Sequence, residues 1–403
     1  MKKTCGMPPC PVGTIEKSPP FQRWVRIAAC CLLLLLLSLP ANARILRVAQ
    51  DGDGTDGDTW ENAYHSVGKA ILSSASGDEI WIKEGLYVES VTLIPGISIY
   101  GGFGGYEAPS EFDLRDWRGR ETIISGTAGL HLPRYPVIAG ANHTVLDGLT
   151  LKCGLSGIFC KDASMEVKNC YVTSNIRSEG GGCHCKSGRL TLDNCRFERN
   201  QGWDGVGVYL FDSTARMRNC LFLNHWTGRP DNPGEGGTVY LYGERSSLYM
   251  ENCTLANNDE VYDYPGIRID TFGESDSYIA NSIIQGDNVG LTNVVYSNIE
   301  SVTGEGNIHT DPLFRSPSWP YDYRLRADSP CIDAGTMTTL LTDLDGNPRP
   351  VDVPTVNNGP TAVDMGCYEF QLPKGDLNGD GKVDADDLLM FQSDWYKEVA
   401  ESK

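Results

Sequence analysis

Basic charge is scarce in this chain. Thirty-four lysines and arginines stand against 53 aspartates and glutamates, for a formal net charge of -19. Nucleic-acid binders carry a basic face, so DNA and RNA are excluded as partners. Long apolar runs are scarcer still. The one sizeable run, Ile27 to Leu39, is about 13 residues, too short to span a bilayer comfortably. Arg23 and Arg26 precede it and Ala41-Asn42-Ala43 follows it, so residues 1–43 read as a signal peptide. The expectation is a secreted or cell-surface protein with no transmembrane segment after signal cleavage. Proline adjoins proline only at Pro8-Pro9 and Pro19-Pro20, within the signal segment; the rest of its 22 copies are scattered singly, and with 45 glycines this excludes a collagen-like or disordered chain and suggests many tight turns.

Helical periodicity is missing between residues 145 and 300, and a repeat takes its place. Val167-Lys168-Asn169-Cys170 returns as Leu192-Asp193-Asn194-Cys195, as Met217-Arg218-Asn219-Cys220 and as Met250-Glu251-Asn252-Cys253. The Asn-Cys pairs lie 25, 25 and 33 residues apart, a period that means a solenoid. Ahead of each asparagine lies a short strand with apolar residues at every second position: Ile158 and Cys160, Cys183 and Cys185, Val208 and Leu210, Val239 and Leu241, Ile267 and Ile269. Asparagine tolerates the left-handed backbone that a sharp bend between strands needs, and stacked coils would align these side chains in a ladder. Right-handed winding follows from the handedness of parallel crossovers. A leucine-rich repeat has a similar period, but its Leu-x-x-Leu-x-Leu framework and helical return are absent.

The reading is therefore all-β: a right-handed parallel β-helix solenoid over residues 44–306, with a capping helix near its start. Tyr64, Val67 and Ile71 stand at helical spacing for that cap, since open sheet edges need covering. Residues 307–370 are expected to close the other end. Ten cysteines remain after Ala43, and an oxidising compartment permits pairing. Cys331 and Cys367 sit in the irregular closing segment, where a crosslink restrains loops best, and are expected to form a disulfide. The Asn-Cys ladder is expected to stay reduced, its thiols acting as small apolar fillers.

Thr59-Trp60-Glu61-Asn62-Ala63-Tyr64, Gly77-Asp78-Glu79-Ile80-Trp81-Ile82 and Gly101-Gly102-Phe103-Gly104-Gly105 resemble the opening of bacterial β-helix proteins of the pectate-lyase-like superfamily. Ser329-Pro330-Cys331-Ile332-Asp333-Ala334-Gly335 and Val363-Asp364-Met365-Gly366-Cys367 resemble the closing segment of the same surface proteins. The resemblance spans roughly residues 47–370. It implies the fold; the superfamily holds lyases, hydrolases and adhesins, so it leaves the activity open.

The tail, residues 371–403, carries a different signal. Asp376, Asn378, Asp380, Asp384 and Asp387 fall at positions 1, 3, 5, 9 and 12 of a twelve-residue loop, with Gly381 at position 6. The Lys382 carbonyl falls at position 7. That spacing wraps a hard cation, so calcium is the expected cofactor in an EF-hand-like loop-helix. Leu388, Phe391 and Trp395 follow on one helical face. With aspartate at position 12 and Gly375 ahead of the loop, the tail resembles a single type I dockerin repeat, which implies a cohesin-like protein partner.

Strand alternation also predicts an outward column of Phe159, His184, Tyr209, Tyr240 and Arg268, beside a second of Lys161, Lys186, Phe211, Tyr242 and Asp270. Aromatic faces stack on sugar rings and cations pair with uronate carboxylates, so this stripe is the candidate glycan-binding surface, its partner a polysaccharide. The superfamily's substrate groove implies the same face. A lyase or glycosidase in that groove is the alternative, although no carboxylate pair stands out as catalytic among the many acids. An adhesin or structural surface protein is the third reading. Cys183-His184-Cys185 does not read as zinc, because alternation sends the histidine away from both sulfurs.

Overall fold

The computed structural model describes residues 43–392, apart from 128–132, 228–236, 259–265, 272–275, 287, 289, 301, 355, 357, 358, 379 and 380. The signal segment and Trp395 lie outside the described residues. The described residues from Arg44 onward form one compact unit.

Each coil of the chain lays down three short strands. Ile158–Lys161, Ser164–Lys168 and Tyr171–Thr173 make one coil; Cys183–Lys186, Arg189–Asp193 and Arg196–Glu198 make the next. Stacked coils pair strand on strand, all parallel, into sheets of seven, ten and nine strands among the described residues. The register is the one the repeat dictates: Cys160 opposite Cys185, Val167 opposite Leu192, Val172 opposite Phe197.

Left-handed residues turn the corners. Asn169, Asn194, Asn219, Asn252 and Asn281 have φ between 49° and 54°, between the ten- and nine-stranded sheets. Their amides stack as predicted: Asn194 donates to Asn169 Oδ1 at 3.4 Å and Asn219 to Asn194 Oδ1 at 3.0 Å. A second ladder, buried from Asn175 to His225, follows the nine-stranded sheet. Asn175 N donates to Asn200 Oδ1 at 3.1 Å, Asn200 N to His225 Nδ1 at 3.2 Å, and His225 N to Asn258 Oδ1 at 3.2 Å.

The interior is a continuous apolar column that includes Ile158, Cys185, Leu210, Leu241 and Ile267. Phe197 and Phe222 stack inside it at 4.9 Å. At the N-terminal end a helix, Val67–Ser73, starts on Ser66, whose side chain accepts from Lys69 N, and buries Val67, Ala70 and Ile71.

The closing segment departs from expectation. It folds back along the side of the solenoid as well as following its last coil. The outward residues Leu221, Leu223, Ala256 and Ile283 of the nine-stranded sheet are apolar, and they share a second core with Phe314, Leu325, Ile332 and Met365. Burying that strip is what draws the segment onto the flank. Arg349 locks it there. Its side chain has no exposure, pairs with Glu369 at 2.7 Å and donates to Asn219 Oδ1 at 3.0 Å.

The expected disulfide is absent: Cys331 and Cys367 are both free, as are the other cysteines among the described residues. Each thiol packs against a different coil. Asn298 Nδ2 donates to Cys331 Sγ at 3.1 Å, whereas Cys367 N donates to Thr254 Oγ1 at 3.0 Å. Burial pushes both thiols up to about 12. They fill space in the second core instead of crosslinking it.

Candidate functional site

The seven-stranded sheet brings the predicted stripe together. Phe159 pairs with His184, His184 with Tyr209, Tyr209 with Tyr240 and Tyr240 with Arg268. Beside them run Lys161, Lys186, Phe211, Tyr242 and Asp270 in the same register.

Its exposure differs from the sequence reading. His184 is 4% exposed, Tyr209 7% and Tyr240 8%. Two things cover it: the turns, since a Cβ on Gly180 would lie 2.8 Å from His184 and one on Gly205 2.7 Å from Tyr209, and the neighbouring rings. With coils a strand spacing apart, each ring covers its neighbours: centroids are 5.3 Å apart for Phe159–His184, 5.0 Å for His184–Tyr209 and 5.6 Å for Tyr209–Tyr240. Phe159, Tyr242 and Arg268 stay half-buried. Arg268 turns back on the sheet, where Asp270 Oδ2 accepts from it at 2.7 Å and from the Tyr240 hydroxyl at 2.8 Å. Arg268 is thus a partnered group, not an open cation.

What the stripe presents to solvent is a cleft of about 470 Å³, floored by the rings and walled by charge. Lys161 and Lys186 are exposed, and among the described residues neither makes an ion pair. Lys186 Nζ lies 4.9 Å above the Phe211 ring and Arg177 lies 4.9 Å above Phe159. Glu179 is the one acid in the lining, so the cleft carries three cations to one anion on a chain of net charge -19. Burial, helped by Arg177 and Lys186, pushes the His184 imidazole down to about 4. His184 is therefore neutral at pH 7. Its Nδ1 donates to the Glu179 carbonyl at 3.1 Å, which leaves Nε2 as the acceptor.

Arg177 and Glu179 were not legible from the repeat. They come from the turn between the nine- and seven-stranded sheets, where no alternation fixes a register. Larger cavities lie elsewhere, about 600 Å³ beside His309 and Arg326 and about 510 Å³ beside Trp117 and Tyr368. Size does not rank them above the stripe, since neither has an excess of one charge.

Of the loop residues proposed for calcium, Asp380 lies outside the described residues. Gly381 sits at φ 82°, the conformation its position in the loop requires. Asp376 Oδ2 accepts from Gly381 N at 2.7 Å, and Asp387 accepts from Leu377 N at 2.6 Å and Asp384 N at 2.7 Å. Those amides, Asp384 N foremost, hold the Asp387 carboxyl below the usual range. Among the described residues no three acidic, imidazole or thiol side chains converge as a metal cluster. The donor set, all hard oxygens on one turn, nevertheless suits a hard cation. Leu388 and Phe391 are 57% and 53% exposed, so the helical stretch 385–392 leaves that face open to solvent. Cys183 and Cys185 point into the core while His184 lies on the outer face, as alternation requires.

The family model described as "Right handed beta helix region" matches residues 137–301. The fold is a right-handed parallel β-helix. No curated protein matches the chain in sequence. Among solved structures, pectate lyase Pel9A is 15% identical, with 82% of this chain and 97% of that chain covered and a TM-score of 0.46. The Aspergillus niger pectin methylesterase is 14% identical, with coverage of 67% and 84% and a TM-score of 0.41. The carrot pectin methylesterase is 12% identical, with coverage of 68% and 88% and a TM-score of 0.37. No helix among the described residues is long and apolar enough to cross a membrane.

Proposed function

We propose that this is a secreted or cell-surface β-helix protein that binds an acidic extracellular polysaccharide in the cleft over its seven-stranded sheet. The observation that carries the reading is the local charge. Lys161, Arg177 and Lys186 converge over an aromatic floor on an otherwise acidic chain. Guanidinium and ammonium groups suit uronate carboxylates, and the rims of Phe159, Phe211 and Tyr242 suit the C–H faces of sugar rings. The buried core of the stripe, His184, Tyr209 and Tyr240, acts as the rigid base on which those groups stand. The tail is a second proposed site, a calcium loop using Asp376, Asn378, Asp380, Asp384, Asp387 and the Lys382 carbonyl. A cohesin-like protein is its proposed partner, through the face of Leu388 and Phe391.

A retention screen tests the main reading. Polygalacturonate, alginate, xylan and galactan are compared, scoring both retained protein and new reducing or unsaturated ends. Retention on the acidic polymers without new ends supports binding. New ends establish a lyase or glycosidase in the same cleft, and loss of both acidic polymers overturns the reading.

A further inference from the structure

We infer that a second carbohydrate site, selective for neutral sugars, lies on the opposite flank. It occupies the cleft of about 510 Å³ between the nine-stranded sheet, the 102–121 excursion and the closing segment. The volume is that of sites holding a small-molecule ligand.

The outward column of this sheet explains why the cleft is there. Tyr171 pairs with Arg196, Arg196 with Leu221, Leu221 with Thr254 and Thr254 with Ile283. Where the column contains Leu221 and Ile283 the closing segment packs down on it. Where it contains Tyr171 and Arg196 the closing segment stands off, and the space between is the cleft.

The walls are built, not incidental. Trp117 is seated by two glycines: a Cβ on Gly102 would lie 2.5 Å from Trp117 Cα, and one on Gly148 would lie 2.7 Å from Trp117 Cβ. Arg118 lies 3.9 Å over the Trp117 ring and donates to the Leu344 carbonyl at 3.1 Å, tying the excursion to the closing segment. Tyr171 donates to Glu198 Oε2 at 2.7 Å, which fixes its ring. Tyr368 completes an aromatic lining, and its hydroxyl has no hydrogen-bond partner among the described residues. Arg196 Nε is shielded from water and also lacks an acceptor.

Charge sets the ligand class. Arg196 is bridged to Glu198 at 2.7 Å and Asp345 to Arg324 at 2.6 Å, which leaves Arg118 and Glu121 in the lining, one cation and one anion, whereas the first cleft carries a cationic excess. A ligand here must offer donors, acceptors and an apolar face without net charge. A neutral pyranose does all three, its hydroxyls bonding guanidinium and carboxylate alike. The inference stands on this cleft alone and does not depend on the first.

The test is calorimetric titration of the full-length protein with cellohexaose, xylohexaose, mannohexaose and β-1,4-galactohexaose. At least one is expected to bind, with affinity at least tenfold lower in Trp117→Ala and roughly threefold to tenfold lower in Tyr368→Phe. Tyr368→Phe removes only a hydroxyl, so it serves if Trp117→Ala fails to fold. Lys161→Ala/Lys186→Ala should leave this binding unchanged. No binding of any of the four, or binding lost only in the lysine variant, overturns the inference.

Discussion

The asparagines at the corners do two jobs, and a single substitution separates them. Asn194 adopts φ 54° and bonds both neighbours in the ladder. Alanine there strains the backbone and strands two amides, so Asn194→Ala should lower stability by roughly 1–3 kcal/mol. Asn194→Gly, which accepts the φ at no strain, should lose less; denaturant melts of the two variants rank them. His184 gives a pH signature. Its folded value of about 4 lies below the unfolded value near 6.5, so the unfolded chain binds more protons between them. The stability linked to neutral His184 is full above about pH 6.5 and is lost as pH falls towards 4, by about 1–3 kcal/mol. His184→Gln lacks this dependence, so the stability gap between the two proteins should narrow over that range. The Asn169–Asn252 corner was readable because left-handed backbone selects asparagine. The buried ladder was written at the same 25, 25 and 33 spacing in Asn175, Asn200, His225 and Asn258. A histidine in one slot and the lack of a flanking cysteine hid it.

Among elements, the solenoid strands were legible because period-two alternation and stacking register are local rules repeated many times. The closing segment was not, since its path answers to a strip of outward leucines that looks unremarkable within the repeat. The expected Cys331–Cys367 disulfide fails for the same reason: an irregular segment that a crosslink would restrain need not bring its thiols together, and these two face separate coils. Arg349 is the hinge of that segment, fully buried against Glu369, Asn219 and the Gly366 carbonyl. Arg349→Ala leaves Glu369 buried without its cation, so a loss of about 3–5 kcal/mol is expected. Limited proteolysis should then cut within 307–370 before the solenoid coils.

On the scale of the molecule, the proposed carbohydrate clefts lie on the solenoid and the proposed calcium loop in the tail, so the two parts should respond separately. The tail's apolar helix face is exposed, so calcium should order the tail without stiffening the β-helix. Titration of the full chain with calcium should give heat that Asp387→Ala abolishes, while the main calorimetric melt stays in place with or without chelator. A melt that shifts strongly with chelator would mean the tail braces the solenoid. The stripe's position was legible from alternation and its burial was not, because cover by neighbouring rings and by the turns at Gly180 and Gly205 belongs to the stacked coils and not to any one strand.

A cationic cleft in an acidic protein should select acidic glycans. The most direct test is the affinity for hexagalacturonate, measured across salt in wild type and in Lys161→Ala/Lys186→Ala. Binding should weaken as salt rises and fall at least tenfold in the double variant. Equal affinity in both proteins, or affinity indifferent to salt, would contradict it.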